Sequence, residues 1–222
     1  MPHENDLFTI ADKYGKGYNE MTCKQIGNLI DYMTNKHSKA LFVRIDITNA
    51  RDAKLNMERK HITRILENTK RTLERKFKNS PNKLDLQYVW TTEQTPEAPH
   101  PHYHLFVGVN GNAMQNGHSI MAAMQPHVQK VQQTNKCGLV HISKEKDHCG
   151  VMCDRNKEDY ESQKAKAFES GKYLAKLYSK ELNPKWARFS SASRLPHAAR
   201  VEENPCSDAP DKPTTTQNDR SV

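Results

Sequence analysis

Two runs of the chain constrain its fold more than any other feature. ALFVRIDIT (40–48) and HYHLFVGVN (102–110) are short, rich in β-branched and aromatic residues, and apolar at successive positions over most of their length. A strand with one wet face alternates apolar and polar residues, so runs like these belong inside a sheet whose two faces are both covered. The second run opens His102-Tyr103-His104, and because successive side chains on a strand point to opposite faces, the two histidines share one face. A pair of imidazoles held that way on a rigid central strand can grip a divalent cation.

The remaining elements follow from periodicity and punctuation. Ile26, Leu29, Ile30 and Met33 form an apolar stripe at helical spacing, predicting a helix over 20–36. Ile62, Ile65, Leu66, Leu73 and Phe77 predict a second helix over 56–78, with a wet, basic outer face. After the turn residues NSPN, the run LDLQYVWTTEQ (84–94) reads as a strand joined to 102–110 through the Pro-rich loop TPEAPHP, an antiparallel hairpin. Ser119 is placed to cap a helix carrying Ile120, Met121, Met124 and Val128, and CGLVHIS (137–143) offers a further strand. Residues 144–157 read as irregular, and 158–182 as helix despite Gly171, stopped at Asn183-Pro184. This order predicts an α+β sandwich of ferredoxin-like or RRM-like type, with about four to five antiparallel strands, the His-x-His strand central and the helices on one face.

With 222 residues, 35% of them hydrophobic, the chain is sized for one core. The division expected is a leader over 1–19, one domain over 20–201 and an acidic, disordered tail over 202–222. That tail holds five acids against Lys212 and Arg220, so it carries −3 of the net +8 and leaves +11 on residues 1–201. A charge of this size favours a polyanionic partner, and nucleic acid is the commonest. No run approaches the roughly 18 apolar residues of a membrane span, and the polar start has no signal core, so no membrane partner and a cytoplasmic location are expected. Five irregularly spaced cysteines fit a reducing compartment better than a disulfide framework.

Glu93 closes the strand that folds back against His102 and His104. A carboxylate there completes a two-His-one-carboxylate set with coordination positions left open, the arrangement of a catalytic rather than a structural ion. Gln94 and His100 compete with it, since the register across the connecting loop is not fixed by sequence. On the last predicted helix Tyr173 and Lys176 stand three residues apart and share a face. A tyrosine hydroxyl, with an ordinary pKa of ~10, becomes a usable nucleophile beside an ammonium and a metal-polarised phosphate.

HYHLFV, the acid on the preceding strand and the downstream YLAKLYSK together resemble the HUH endonucleases. More narrowly, ALFVRIDIT, YVWTTEQ, PHYHLFVGV and GKYLAKLYSK followed by RFSSASR resemble the replication initiators of filamentous phages and related prophage proteins, over about residues 20–195. The resemblance implies a rolling-circle replication initiator that nicks and rejoins DNA through a 5′-phosphotyrosine intermediate. His102, His104 and Glu93 would then bind Mg²⁺ or Mn²⁺, Tyr173 would be the nucleophile and Lys176 its helper, and host helicase and polymerase would be further partners. Some relatives carry a second tyrosine four residues after the first. Here that position is Leu177, and Tyr178 lies roughly 100° away on an α-helix, so a single-tyrosine enzyme is expected.

Residues 51–88 hold eleven Lys and Arg against five acids, and Arg44, Arg59, Lys60, Arg64 and Lys180 are candidate DNA contacts. Two other readings stay open. Transposases and conjugative relaxases use the same motif pair. Cys137, His141, His148, Cys149 and Cys153 also allow a zinc-stapled, non-catalytic DNA-binding module.

Overall fold

The computed structural model describes residues 17–51, 53–55, 57–94, 100–143, 149–177 and 190–196. In chain order these form α1 (Glu20–Lys36), β1 (Lys39–Ile47), α2 (Arg59–Lys76), β2 (Gln87–Glu93), β3 (His102–Asn110), α3 (His118–Gln132), β4 (Val140–Ile142), β5 (Val151–Asp154), α4 (Tyr160–Lys172), a 3-10 turn (Tyr173–Ala175) and β6 (Ser190–Ala192). The strands make one antiparallel sheet in the order β4-β1-β3-β2-β6. Within it, β1-α2-β2-β3-α3-β4 is the ferredoxin-like βαββαβ unit, and β3 is central as its composition requires.

Helices cover both faces of the sheet, not one. Leu41, Val43, Ile45 and Ile47 of β1 and Tyr103, Leu105, Val107 and Val109 of β3 pack under α2 and α3. Ala40 and Phe42 of β1, Phe106 of β3 and Val89 of β2 point the other way and pack under α1 and α4. This second layer is why β1 and β3 are apolar at successive positions: each parity has its own core to fill. On the α1/α4 side Phe42 and Phe106 stack with centroids 5.6 Å apart.

Four local expectations need correction. Val151–Asp154, inside the segment read as irregular, is a strand paired with Lys39–Phe42, so β4 and β5 are two pieces of one edge beside β1. Four residues give too short a pattern for period-two reading to find. The α3 cap is Gly117 rather than Ser119. A side chain at 117 would meet Val43 at 2.7 Å and the Cys149 carbonyl at 2.9 Å, so close backbone approach decides that residue. The last helix ends at Lys172 and tightens into the 3-10 turn, with Lys176 already extended at ψ 129°, instead of running to 182; residues 178–182 lie outside the described residues. β6, at Ser190–Ala192, had no periodic signature because it is only three residues long and pairs with Val89–Thr91.

Gly171 sits where α4 presses closest to the sheet. A β-carbon there would lie 2.7 Å from Ile26 and 3.1 Å from Phe106, so the glycine sets how near α4, and the tyrosine two residues on, can come to β3.

At the far end of the sheet Asp85, at φ 47°, ties α1 to the start of β2. Its carboxylate accepts from Lys36 Nζ at 2.8 Å, His37 Nε2 at 2.9 Å and Gln87 Nε2 at 2.8 Å. Burial alone would raise its pKa, but these donors outweigh burial and lower it from 3.8 to about 2. A depressed carboxylate pKa stabilises the fold above the unfolded value, and that contribution disappears as pH falls from about 4 to about 2. Asp85→Asn, which keeps a side chain tolerant of positive φ, is expected to cost on the order of 2 kcal/mol at pH 7 and almost nothing at pH 2. Urea midpoints at the two pH values measure this; an equal cost at both would show that the charge is not responsible.

Candidate functional site

The cross-strand register builds a polar row on the α1/α4 face. Asp46 of β1 stands opposite His104 of β3, and His104 opposite Thr91 of β2. His141 and Ser190 extend the row onto β4 and β6. One step along, Glu93 stands opposite His102. Parity places Arg44, Asp46, Thr91, Glu93, His102 and His104 on one face, all near the end of the sheet reached by the 3-10 turn.

His104 is the centre of this row. Its Nδ1 lies 2.6 Å from Asp46 Oδ1 and its Nε2 2.5 Å from Glu93 Oε2, while the residue is only 7% exposed. Burial disfavours the charged imidazole, yet the two carboxylates prevail and hold its pKa above the ordinary value. Two carboxylates on one imidazole leave the cluster formally negative even when the ring is protonated. Beside it, the fully buried Thr91 hydroxyl has no partner among the described residues.

Tyr173 approaches from α4's end. Its ring stands edge-to-face with His104, centroids 5.4 Å apart. The Arg44 guanidinium lies 4.3 Å and Lys176 Nζ 4.1 Å from the Tyr173 ring centroid. Lys176 thus reaches the tyrosine across the exit from a 3-10 turn, not along one face of an α-helix as the spacing suggested. Arg44 also donates to the Ser143 hydroxyl. The turn is strapped from outside: Asn19 N–H donates to the Ala175 carbonyl at 2.7 Å and Leu177 N–H to the Gly17 carbonyl at 3.3 Å. Residues 17–19, assigned to a leader, are therefore part of the folded unit.

Of the residues read from sequence, His104, Glu93, Tyr173, Lys176 and Arg44 come together, and His102 is exposed on the same face at the next position. Glu93, rather than Gln94 or His100, faces His104. Arg59, Lys60 and Arg64 lie on α2, the layer on the opposite side of the sheet, and do not line this site. Lys180 lies outside the described residues. Asp46 was missed; its signal was an acid in an otherwise apolar strand, two residues from Arg44 and so on its face.

The donor chemistry suits a divalent cation. Glu93 Oε2 and His104 Nε2 already converge, His102 shares their face, and Asp46 on Nδ1 is the carboxylate that orients a metal-binding imidazole in carboxylate–histidine–metal arrangements. Among the described residues, no three His, Cys, Asp or Glu side chains are gathered as an assembled ion cage. The cysteine alternative fares worse. Cys153 is buried on β5, where burial pushes its thiol up to about 12, and Cys149 lies 3.3 Å from His118 instead of the other zinc candidates. His148 lies outside the described residues.

Fold and site together define an α+β protein with a buried His–carboxylate cluster and an adjoining tyrosine on one face of its sheet. The family model of the YagK/YfjJ C-terminal domain matches residues 2–192, and the chain belongs to that family. No curated protein matches it.

Asp46→Asn is expected to lower the His104 pKa, because burial is then opposed by Glu93 alone. An NMR titration of the ring proton reads this directly; an unchanged pKa would mean that Asp46 does not govern the ring. A raised histidine pKa contributes stability below its unfolded value and loses it as pH rises through the folded one, so the variant's stability deficit should shrink at high pH.

Proposed function

We propose that the protein is a rolling-circle replication initiator that nicks and rejoins single-stranded DNA at an origin, with Tyr173 as nucleophile and Mg²⁺ or Mn²⁺ held by His102, His104 and Glu93. The carrying observation is the approach of Tyr173 to His104, from distant parts of the chain, to a centroid distance of 5.4 Å. A tyrosine kept for packing alone has no need of two cations against its ring and a carboxylate-gripped histidine at its edge.

In the reaction, the Tyr173 phenol oxygen attacks the scissile phosphorus and gives up its proton. The bond from phosphorus to the 3′ oxygen breaks, and that oxygen takes a proton to become a free 3′-hydroxyl able to prime synthesis. The 5′ phosphate stays joined to Tyr173, and reversal by a 3′-hydroxyl reseals the strand without ATP, because one phosphodiester replaces another. Bound at the cluster, a divalent cation supplies Lewis acidity toward a non-bridging phosphate oxygen. Lys176 and Arg44 put positive charge beside the phenol and the incoming phosphate. Asp46 fixes the ring orientation of His104. The 3-10 turn and its strap to residues 17–19 hold the tyrosine backbone in place.

One observation favours a second reading. Both His104 ring nitrogens are engaged by carboxylates, which equally suits a structural network in a non-catalytic DNA-binding protein. The two are separated by incubating the protein with labelled origin-derived single-stranded DNA and Mn²⁺ and resolving the products on a denaturing gel. A covalent adduct that disappears in Tyr173→Phe and after chelation is expected. Binding without any adduct would favour the non-catalytic protein.

A further inference from the structure

Two clefts open away from the Tyr173 site. The larger, about 550 Å³, lies at the opposite end of the sheet and holds Lys36, Lys70, Lys78 and Lys83, but also Glu74 and Asp85, and Asp85 already takes Lys36 and His37. Two carboxylates therefore stand among its lysines, which an anion would also have to face. The other, about 380 Å³, lies between the first half of α2 and the last turns of α3. Its wall includes Arg64 and Lys130 from facing helices and no Asp or Glu, and neither cation has an acidic partner among the described residues. Its apolar surface comes from the half-buried Val131 and from Leu55, 40% exposed at the rim, above the buried Ile65.

The polar atoms on this wall are mostly donors. His61 Nδ1 accepts from the Glu58 N–H at 3.0 Å, which leaves its Nε2–H free to donate. Burial and the neighbouring Lys130 lower the His127 pKa, so that ring stays neutral, with Thr72 Oγ1 3.0 Å from its Nε2. A cleft with two cations, further donors and an apolar surface matches a ligand that is anionic at one end and flat and apolar at the other.

We propose that this cleft seats one nucleotide unit of single-stranded DNA, its phosphate between Arg64 and Lys130 and its base against Leu55 and Val131. A duplex keeps its bases stacked inside, so only an unpaired nucleotide can lay a base on that surface. Position supports this. Gln132, at the end of α3, donates to the Thr48 carbonyl and accepts from the Ala50 N–H, which fixes the cleft near the end of β1 that carries Asp46. A strand held at Tyr173 can round that end of the sheet and reach the opposite layer. The inference goes beyond the nicking reading, since it requires only that the protein binds single strands.

The test uses the full chain and fluorescein-labelled dT12, with anisotropy read across a salt series and circular dichroism confirming each variant's fold. Arg64→Ala/Lys130→Ala should weaken binding roughly tenfold and reduce the slope of log affinity against log salt by about 0.7 to 1.4. Leu55→Ala should weaken binding severalfold with the slope unchanged, while Lys83→Ala in the other cleft should stay within twofold. Parent-like affinity and slope in the double variant would overturn the proposal. Titration with dTMP separates the sources: Val131 methyl shifts shared by dTMP and dT12 support the subsite, whereas shifts with dTMP alone assign the cleft to a free nucleotide and overturn the strand. Adduct formation should be parent-like in Lys83→Ala, which lies in the other cleft. Absence of adduct in the parent, with the dT12 result intact, would remove the nicking reading and leave the cleft standing.

Discussion

The rest of the site depends on a buried imidazole held between two carboxylates. His104 comes from the central strand, Asp46 and Glu93 from its two neighbours, and both contacts are short. Without the imidazole, the two carboxylates would lose the group that joins them. The cluster therefore fixes the register of β1, β3 and β2 at one end of the sheet. It also concentrates negative charge beneath Tyr173, whose ring stands against His104.

The two helix layers divide the labour. α1 and α4 close over the polar row, and Gly171 lets α4 come near enough to set Tyr173 against His104. α2 and α3 cover the other face and carry eight of the helical Lys and Arg residues, against five on α1 and α4. Under the proposed function, a DNA strand engaging both faces would pass around the end formed by the last residues of β1 and the first of β3, where Asn49 bonds the Pro101 carbonyl and Tyr103 bonds the Met57 carbonyl. That end is stiffened by these side-chain to backbone bonds.

Much of this was legible in the sequence because it depends on period. The parity of His102 and His104, the central place of β3 and the faces of α1 and α2 follow from side-chain alternation and helical spacing alone. Glu93 could be named because it ends a strand. What escaped was set by tertiary contact. The apolar runs 40–48 and 102–110 did signal two covered faces, but the second helix layer was not inferred, since α4 has a weak stripe and is placed by packing against α1 and β5. Strands of three and four residues at β5 and β6 are too short to show a period, and both exist because an inner strand offers them a free edge. The end of α4 at Lys172 is likewise decided by the strap from residues 17–19, a pairing across most of the chain that no local rule anticipates. Asp46 was visible as an acid in an apolar strand, and its role became readable only with its register partner.

The most direct measurement is a crystal of the protein equilibrated with Mn²⁺ and examined by anomalous scattering at the manganese edge. The expected result is a single peak within coordination distance of His102, His104 Nε2 and Glu93 Oε2, with Asp46 still bonded to Nδ1 of His104. A saturated crystal with no peak there and the His104–Glu93 contact intact would contradict a metal-dependent site and leave the cluster a structural one.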